Sequence, residues 1–169
     1  MSDPGGHDVW ICDFAESGDR ADFVRLMAEF AAEPVSSAPQ LDAAHFGRVA
    51  DDLARRAGTL VLLAARAESE RTEGVLVAFE GYSSFARAPL FNIHDVHVSP
   101  TARGRGLGAA MVETLAEIGR EHGHTKLTLE VAATNTGAIR LYRRLGFGGL
   151  DGLPPEAQAG VTYFAKRKL

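Results

Sequence analysis

Apolar and polar positions alternate along this chain with two different periods, and the period switches repeatedly. Val9 to Phe14 reads as a strand. Phe23, Leu26, Met27 and Phe30 then recur at i, i+3, i+4 and i+7, one apolar helical face, with Ser17 placed to cap its start. Pro34 to Pro39 breaks that pattern. A second helix follows with Phe46, Val49, Ala50 and Leu53 on one face, ended by Gly58. Leu60 to Arg66 and Val75 to Tyr82 are strands joined by a charged hairpin loop, Glu68 to Glu73 with Gly74. Ser83 to Leu90 reads as a looser connection containing Pro89, and Phe91 to Val98 as the next strand. Leu107, Met111, Leu115 and Ile118 line a long helix that Gly123 ends. Leu127, Leu129 and Val131 alternate with Lys126, Thr128 and Glu130, a strand covered on one side. Ala138, Leu141, Tyr142 and Leu145 share a last helical face after the caps offered by Thr134, Asn135 and Thr136; Gly146 stops it. Phe147 to Leu150 reads as a short strand, Gly152 to Gly160 as a loop and Val161 to Arg167 as the final strand.

The predicted order is therefore β-α-α-β-β-β-α-β-α-β-β, a mixed α/β (α+β) sheet with antiparallel hairpins first and a strand–helix–strand crossover later. No repeat or linker divides it, so residues 1–169 are expected to form one domain. Net charge is −4 with no basic run, which argues against a nucleic-acid partner. No apolar run approaches the roughly 20 residues that cross a bilayer. Cys12 is the only cysteine, and residues 1–6 lack the features of a secretion signal. A cytoplasmic location is the expectation.

The chemistry concentrates between Asp95 and Tyr142. A strand stops at Ser99-Pro100, and Arg103-Gly104-Arg105-Gly106-Leu107-Gly108 leads into the long helix. Glycines leave the backbone bare to a ligand, and the first N–H groups of a helix have no internal partner and sit at its positive end. Such a loop suits a phosphate or pyrophosphate. Gly104-x-Gly106-x-x-Ala109 also fits a loose dinucleotide fingerprint. Against that, the turn Ser99 to Ala102 separates strand from glycines, and too little chain follows for a doubly wound sheet.

Arg103-x-x-Gly106-x-Gly108 resembles the acyl-CoA loop of the GCN5-related N-acetyltransferases, the GNAT superfamily. The resemblance runs on through Glu130, Asn135, Ala138, Tyr142 and Gly146-Phe147 in the family's order and spacing. It implies the GNAT fold, with two central parallel strands splayed around the pantetheine arm. It implies acetyl-CoA as cosubstrate and no metal. By the same resemblance, the main chain of Val96, His97 and Val98 meets the pantetheine, and Arg103, Gly104, Arg105, Gly106, Leu107, Gly108 and Ala109 hold the pyrophosphate. Asn135 bonds near the pantetheine, and Tyr142 lies near the sulfur. A phenol with its ordinary pKa near 10 is protonated at neutral pH, as a general acid for the thiolate must be.

The stretch before the loop is similar to that of polyamine acetyltransferases, with acids at the positions of His94 and Asp95. An unperturbed imidazole, near 6.5, suits a base at neutral pH, so His94 or Asp95, directly or through water, is the candidate base; His97 and Glu80 stand behind them. Strand alternation sets His94 with Val96 and Val98, and Asp95 with Ile93 and His97, on opposite faces; a bulge would break that parity. His94, Asp95 and His97 crowded on one strand make a poor tetrahedral metal site. The expected activity is N-acetylation of a small-molecule amine by direct transfer. The acceptor groove is expected among the first two helices, the Pro34–Pro39 connection and Ser83 to Leu90, with Glu29, Glu33 and Glu80 as cation contacts. The rivals are a peptide, protein or antibiotic amine as acceptor, or a domain that binds acyl-CoA without turnover. Dimerisation is common in the family, so a homodimer stands among the expected states.

Overall fold

The computed structural model describes residues 2–3, 6–33, 41–152 and 159–169. The expected Pro34–Pro39 break and most of the Gly152–Gly160 loop lie outside them. A seven-stranded sheet runs in the order β1-β2-β3-β4-β5-β6-β7. The elements are β1 (Ser2–Asp3), β2 (His7–Ile11), α1 (Ser17–Ala31), α2 (Ala43–Arg55), β3 (Thr59–Arg66), β4 (Gly74–Ser83) and β5 (Ala88–Val98). A 3-10 turn at Pro100–Ala102 leads to α3 (Leu107–Glu121), β6 (Lys126–Ala132), α4 (Thr136–Arg144) and β7 (Thr162–Lys168). Every neighbour pairs antiparallel except β5 and β6, which are parallel.

Each face of the sheet has its own core. On one face Phe23, Leu26 and Met27 of α1 and Phe46 and Ala50 of α2 pack on Val61, Leu63, Val75 and Val77. On the other, Leu107, Met111 and Leu115 of α3 and Ile139 and Tyr142 of α4 pack on Leu62, Leu76, Ile93 and Leu129. Sandwiched strands read as continuous apolar runs, which explains Val61-Leu62-Leu63-Ala64. Among the described residues no helix is long and apolar enough to cross a membrane.

Several expectations shift. β2 starts two residues earlier than predicted and ends at Ile11, because Asp13 bends the chain: its N–H donates to Asp19 Oδ2 at 2.9 Å, and its carbonyl accepts from Glu16. Glu16, not Ser17, is the N-cap of α1. Ser83 to Leu90 is no loose connection. Ser83 pairs with Ala88 and Tyr82 with Pro89, so β5 begins at Ala88 and only Ser84 to Arg87 turn; Pro89 is tolerated near the hairpin end of the strand. The predicted strand Phe147–Leu150 is reduced to one bridge, Gly148 to Lys166. Gly149 has φ +94°, and a Cβ there would stand 2.6 Å from the Phe164 carbonyl oxygen, so the chain leaves the sheet. In the β3–β4 connection Glu73 is buried. Arg66 grips it with bonds of 2.8 and 2.6 Å, which hold its carboxyl below the usual range.

Two irregularities make room for a site. Val77 pairs with Asp95 but Ala78 pairs with Ile93, so His94 is an extra residue, a β-bulge. The parallel ladder between β5 and β6 has only three rungs, Phe91–Leu127, Asn92–Thr128 and Ile93–Leu129. Beyond Ile93 the strands part, and β6 continues with β7 alone to Ala132.

Candidate active site

The parting of β5 and β6 opens a cleft of about 550 Å³. Its walls include Val96, His97 and Val98 of β5, the loop residues Arg103, Gly104 and Gly106, and Leu107, Gly108 and Ala109 of α3. α4 contributes Ala138, Leu141 and Tyr142, and Asn135 stands at that helix's start. Eleven of the twelve residues expected to meet the cofactor thus line one cavity. Arg105 does not. Its carbonyl accepts a 2.7 Å bond from Nε2 of the buried His7 on β2, which turns that peptide toward the sheet.

The mouth of α3 is built to take an anion. Gly106 is the N-cap at φ +91°, where no side chain caps the helix, and the first turn holds no acid. A left-handed residue there favours glycine. A Cβ on Gly106 would also come within 3.2 Å of His7 Cε1. The unpaired N–H groups that open the helix therefore face the cleft with a positive dipole end. Together with the unpaired inner edge of β5, this cavity fits a diphosphate joined to an extended amide-bearing arm.

Tyr142 is 7% exposed. Burial, and after it the charge of Asp95, push its phenol up to about 12. Phe147 packs edge-on against it at 5.5 Å, and its hydroxyl has no hydrogen-bond partner among the described residues. Asn135 Oδ1 accepts from Ala138 N–H at 3.1 Å and so caps α4; its amide donors remain for the cleft. The residue serves both readings at once, cap and cleft wall.

The bulge corrects the strand parity. Ile93 falls on the α3 side with Val96 and Val98, whereas His97 packs toward α1. His94 is not with Val96 and Val98. Its ring meets Phe79 edge-on at 5.5 Å and its side chain is 62% exposed. Nδ1 of His94 lies 3.3 Å from Oδ2 of Asp95. Burial pushes the Asp95 carboxyl up, against the opposing pull of His94. Neither residue lines the large cleft itself; the tie to it is the charge of Asp95, which adds to burial in raising the Tyr142 phenol. Glu80 is elsewhere occupied, 3.1 Å from His124 Nε2, and His124 is buried against Phe91 rather than at the surface.

Among the cleft residues outside the expected cofactor set, four carry aromatic or charged side chains. Phe30 and Glu33 come from the end of α1, and Arg140 and Arg144 from α4. The two arginines were detectable as an i, i+4 basic pair on a helix whose apolar side faces the core. Glu33 is one of the three acids expected to meet a cation in the acceptor groove; it lines this cleft, and its described side-chain partners are Arg103 and His97. No group of three or more metal-ligating side chains occurs among the described residues.

A sheet prised open beside an uncapped, glycine-entered helix defines an acyl-CoA-binding fold. The acetyltransferase (GNAT) family profile matches residues 23–147, and the chain belongs to that family. It is 40% identical over 81 residues to the streptothricin acetyltransferase of Streptomyces lavendulae, covering 47% of this chain and 43% of that protein. The match thus spans less than half of that relative's length. The fold is shared with a GNAT acetyltransferase from Streptococcus pneumoniae at TM-score 0.71 and 16% identity, over 96% of this chain and 99% of the other. The yncA protein of Salmonella typhimurium, solved with its cofactor acetyl-CoA, matches at TM-score 0.64 and 19% identity, over 96% and 94% of the two chains.

Proposed function

We propose that this chain moves an acetyl group from acetyl-CoA to a primary amine of a small molecule, directly and within a ternary complex. The observation that supports this most is the continuous path from the bare α3 N-terminus, along the unpaired edge of β5, to the Tyr142 hydroxyl. Acetyl-CoA supplies a thioester, whose carbonyl carbon is open to an amine. The α3 amides hold the diphosphate. The main chain of Val96 to Val98 pairs with the arm as a missing strand would.

His94, steadied by Asp95, takes a proton from the incoming ammonium; a neutral amine is the nucleophile, and alkylamines otherwise keep that proton to a pKa of roughly 10. The new C–N bond forms as the C–S bond breaks, and the proton that the nitrogen then sheds on becoming an amide restores, directly or through water, the one that Tyr142 gives up. Tyr142 gives its proton to the departing thiolate, and a phenol held near 12 is fully protonated for the task at neutral pH. Cytoplasmic residence and a single catalytic domain over 1–169 belong to the same reading.

The test is a panel of amines and peptides, read by release of free thiol. Streptothricin belongs in the panel because of the similarity to the enzyme named for it. Acceptor-dependent release with small amines is the expected result. Tight acetyl-CoA binding with no release on any acceptor would instead make the chain a sensor.

A further inference from the structure

The end of α1 is bonded to the anion-binding loop by side chains that the proposed transfer does not use. Arg103 folds back from that loop: its Nε donates to the Val98 carbonyl at 2.9 Å, and its guanidinium bonds the Glu33 carboxylate. Both Arg103 and Glu33 line the cleft. The same Glu33 oxygen lies 3.3 Å from His97 Nδ1. Among the described residues, the charged groups facing His97 are Glu33 and Glu29 of α1, the latter 3.7 Å from Nε2, and Arg103 of the loop. Glu29 is also held by Ser99 Oγ at 3.0 Å and approached by Arg25 at 3.8 Å. Phe30 stacks on the other side of the imidazole at 5.4 Å. His97 is 3% exposed, and its Nε2 is buried without a hydrogen-bond partner.

We infer that Glu33 acts as an internal anion that holds Arg103 until the cofactor's phosphates take its place, so that acetyl-CoA binding exchanges one anion for another and leaves a carboxylate facing His97. The inference rests on the proposal that the cleft holds acetyl-CoA. Arg103 has one guanidinium to share, and its present bonds draw it to the α1 wall rather than toward the α3 N-terminus. The diphosphate carries two negative charges against the carboxylate's one and accepts the guanidinium fork equally well. Once Arg103 turns, the cation that offset Glu33 is gone. His97 then stands between two glutamates with a bare nitrogen aimed at one of them. Burial keeps the ring neutral in the free protein; the uncompensated pair of acids favours the protonated ring. Binding therefore takes up a proton, and affinity falls as pH rises.

Calorimetry with CoA and acetyl-CoA alone tests this, run in two buffers of different ionisation heat. The native protein is expected to take up protons on binding. Glu33→Gln is expected to bind about two- to fivefold more tightly, the scale of a partly exposed ion pair, and to lose most of that uptake. Glu29→Gln, which does not touch Arg103, serves as the matched control: it is expected not to tighten binding, because Arg103 stays held by Glu33, and to lose part of the proton uptake, because Glu29 also faces His97. Unchanged or weaker binding by a folded Glu33→Gln protein overturns the inference, since Glu33 would then be a strut that orients Arg103. A native protein that binds no CoA fails the parent reading instead, so the two failures are distinguishable.

Discussion

Nε2 of His7 donates to the carbonyl of Arg105 across 2.7 Å, tying β2 to the loop that opens α3. A carbonyl only accepts, so the bond fixes the proton on Nε2. It also anchors the one peptide of the motif that turns away from the cleft. His7→Phe fills similar space but leaves that carbonyl unpaired. An unpaired acceptor costs about 1–3 kcal/mol when fully buried, and less at this part-buried carbonyl. The expected result is a lower melting temperature together with several-fold weaker acetyl-CoA binding, measured by thermal denaturation and calorimetry. Native affinity in the variant would show that the loop holds its shape unaided.

Tyr142→Phe separates binding from chemistry. The ring stays, with its packing on Phe147, and only the acidic proton is lost. General acids contribute about 10²–10⁴-fold, so kcat is expected to fall on that scale while the dissociation constant of acetyl-CoA hardly moves. Turnover equal to native removes the residue from the reaction.

His94→Ala removes the exposed imidazole at the bulge. The acid limb of the rate–pH profile is then expected to flatten and overall rate to drop. With Glu80 bonded to His124 on the α3 side of the sheet, an untouched limb would leave Asp95 or water as the proton acceptor.

Asp95 makes a prediction about stability rather than rate. Burial raises its carboxyl above the unfolded value of 3.8, so the folded chain binds that proton more tightly than the unfolded one. Its contribution to stability is complete below the unfolded value and declines as pH rises through the folded one. Asp95→Asn should therefore raise the melting temperature at neutral pH, and the gain should shrink toward acid. Turnover should fall at the same time, because His94 loses its partner. A melting temperature that drops at pH 7 would contradict the sign.

The helical periods, the sheet crossovers and the glycine loop were legible in the sequence because each is written in local spacing. Phe23, Leu26 and Met27 could face only one way. The bulge at His94 was not legible. It depends on how β4 counts against β5, and no residue of either strand marks it; alternation misplaces Ile93 and His94 for that reason, while Asp95 keeps its face with His97. The turn at Ser84 to Arg87 was misread because Pro89 looks like a breaker yet sits where its missing N–H is tolerated. Glu33 and Arg103 are seventy positions apart, a contact that no local pattern announces. Arg140 and Arg144 are readable as an i, i+4 basic pair, but they stand outside the loop motif.

The short seam between β5 and β6 has a last implication. Strands that run side by side gain by zipping up, yet here they stop at Ile93 and Leu129. A variant that extended the zipper by a rung or two would fold more contentedly and work less well, its slot stitched shut. Selection for sturdiness alone would then push this protein toward inactivity, and its usefulness depends on a seam left deliberately unfinished.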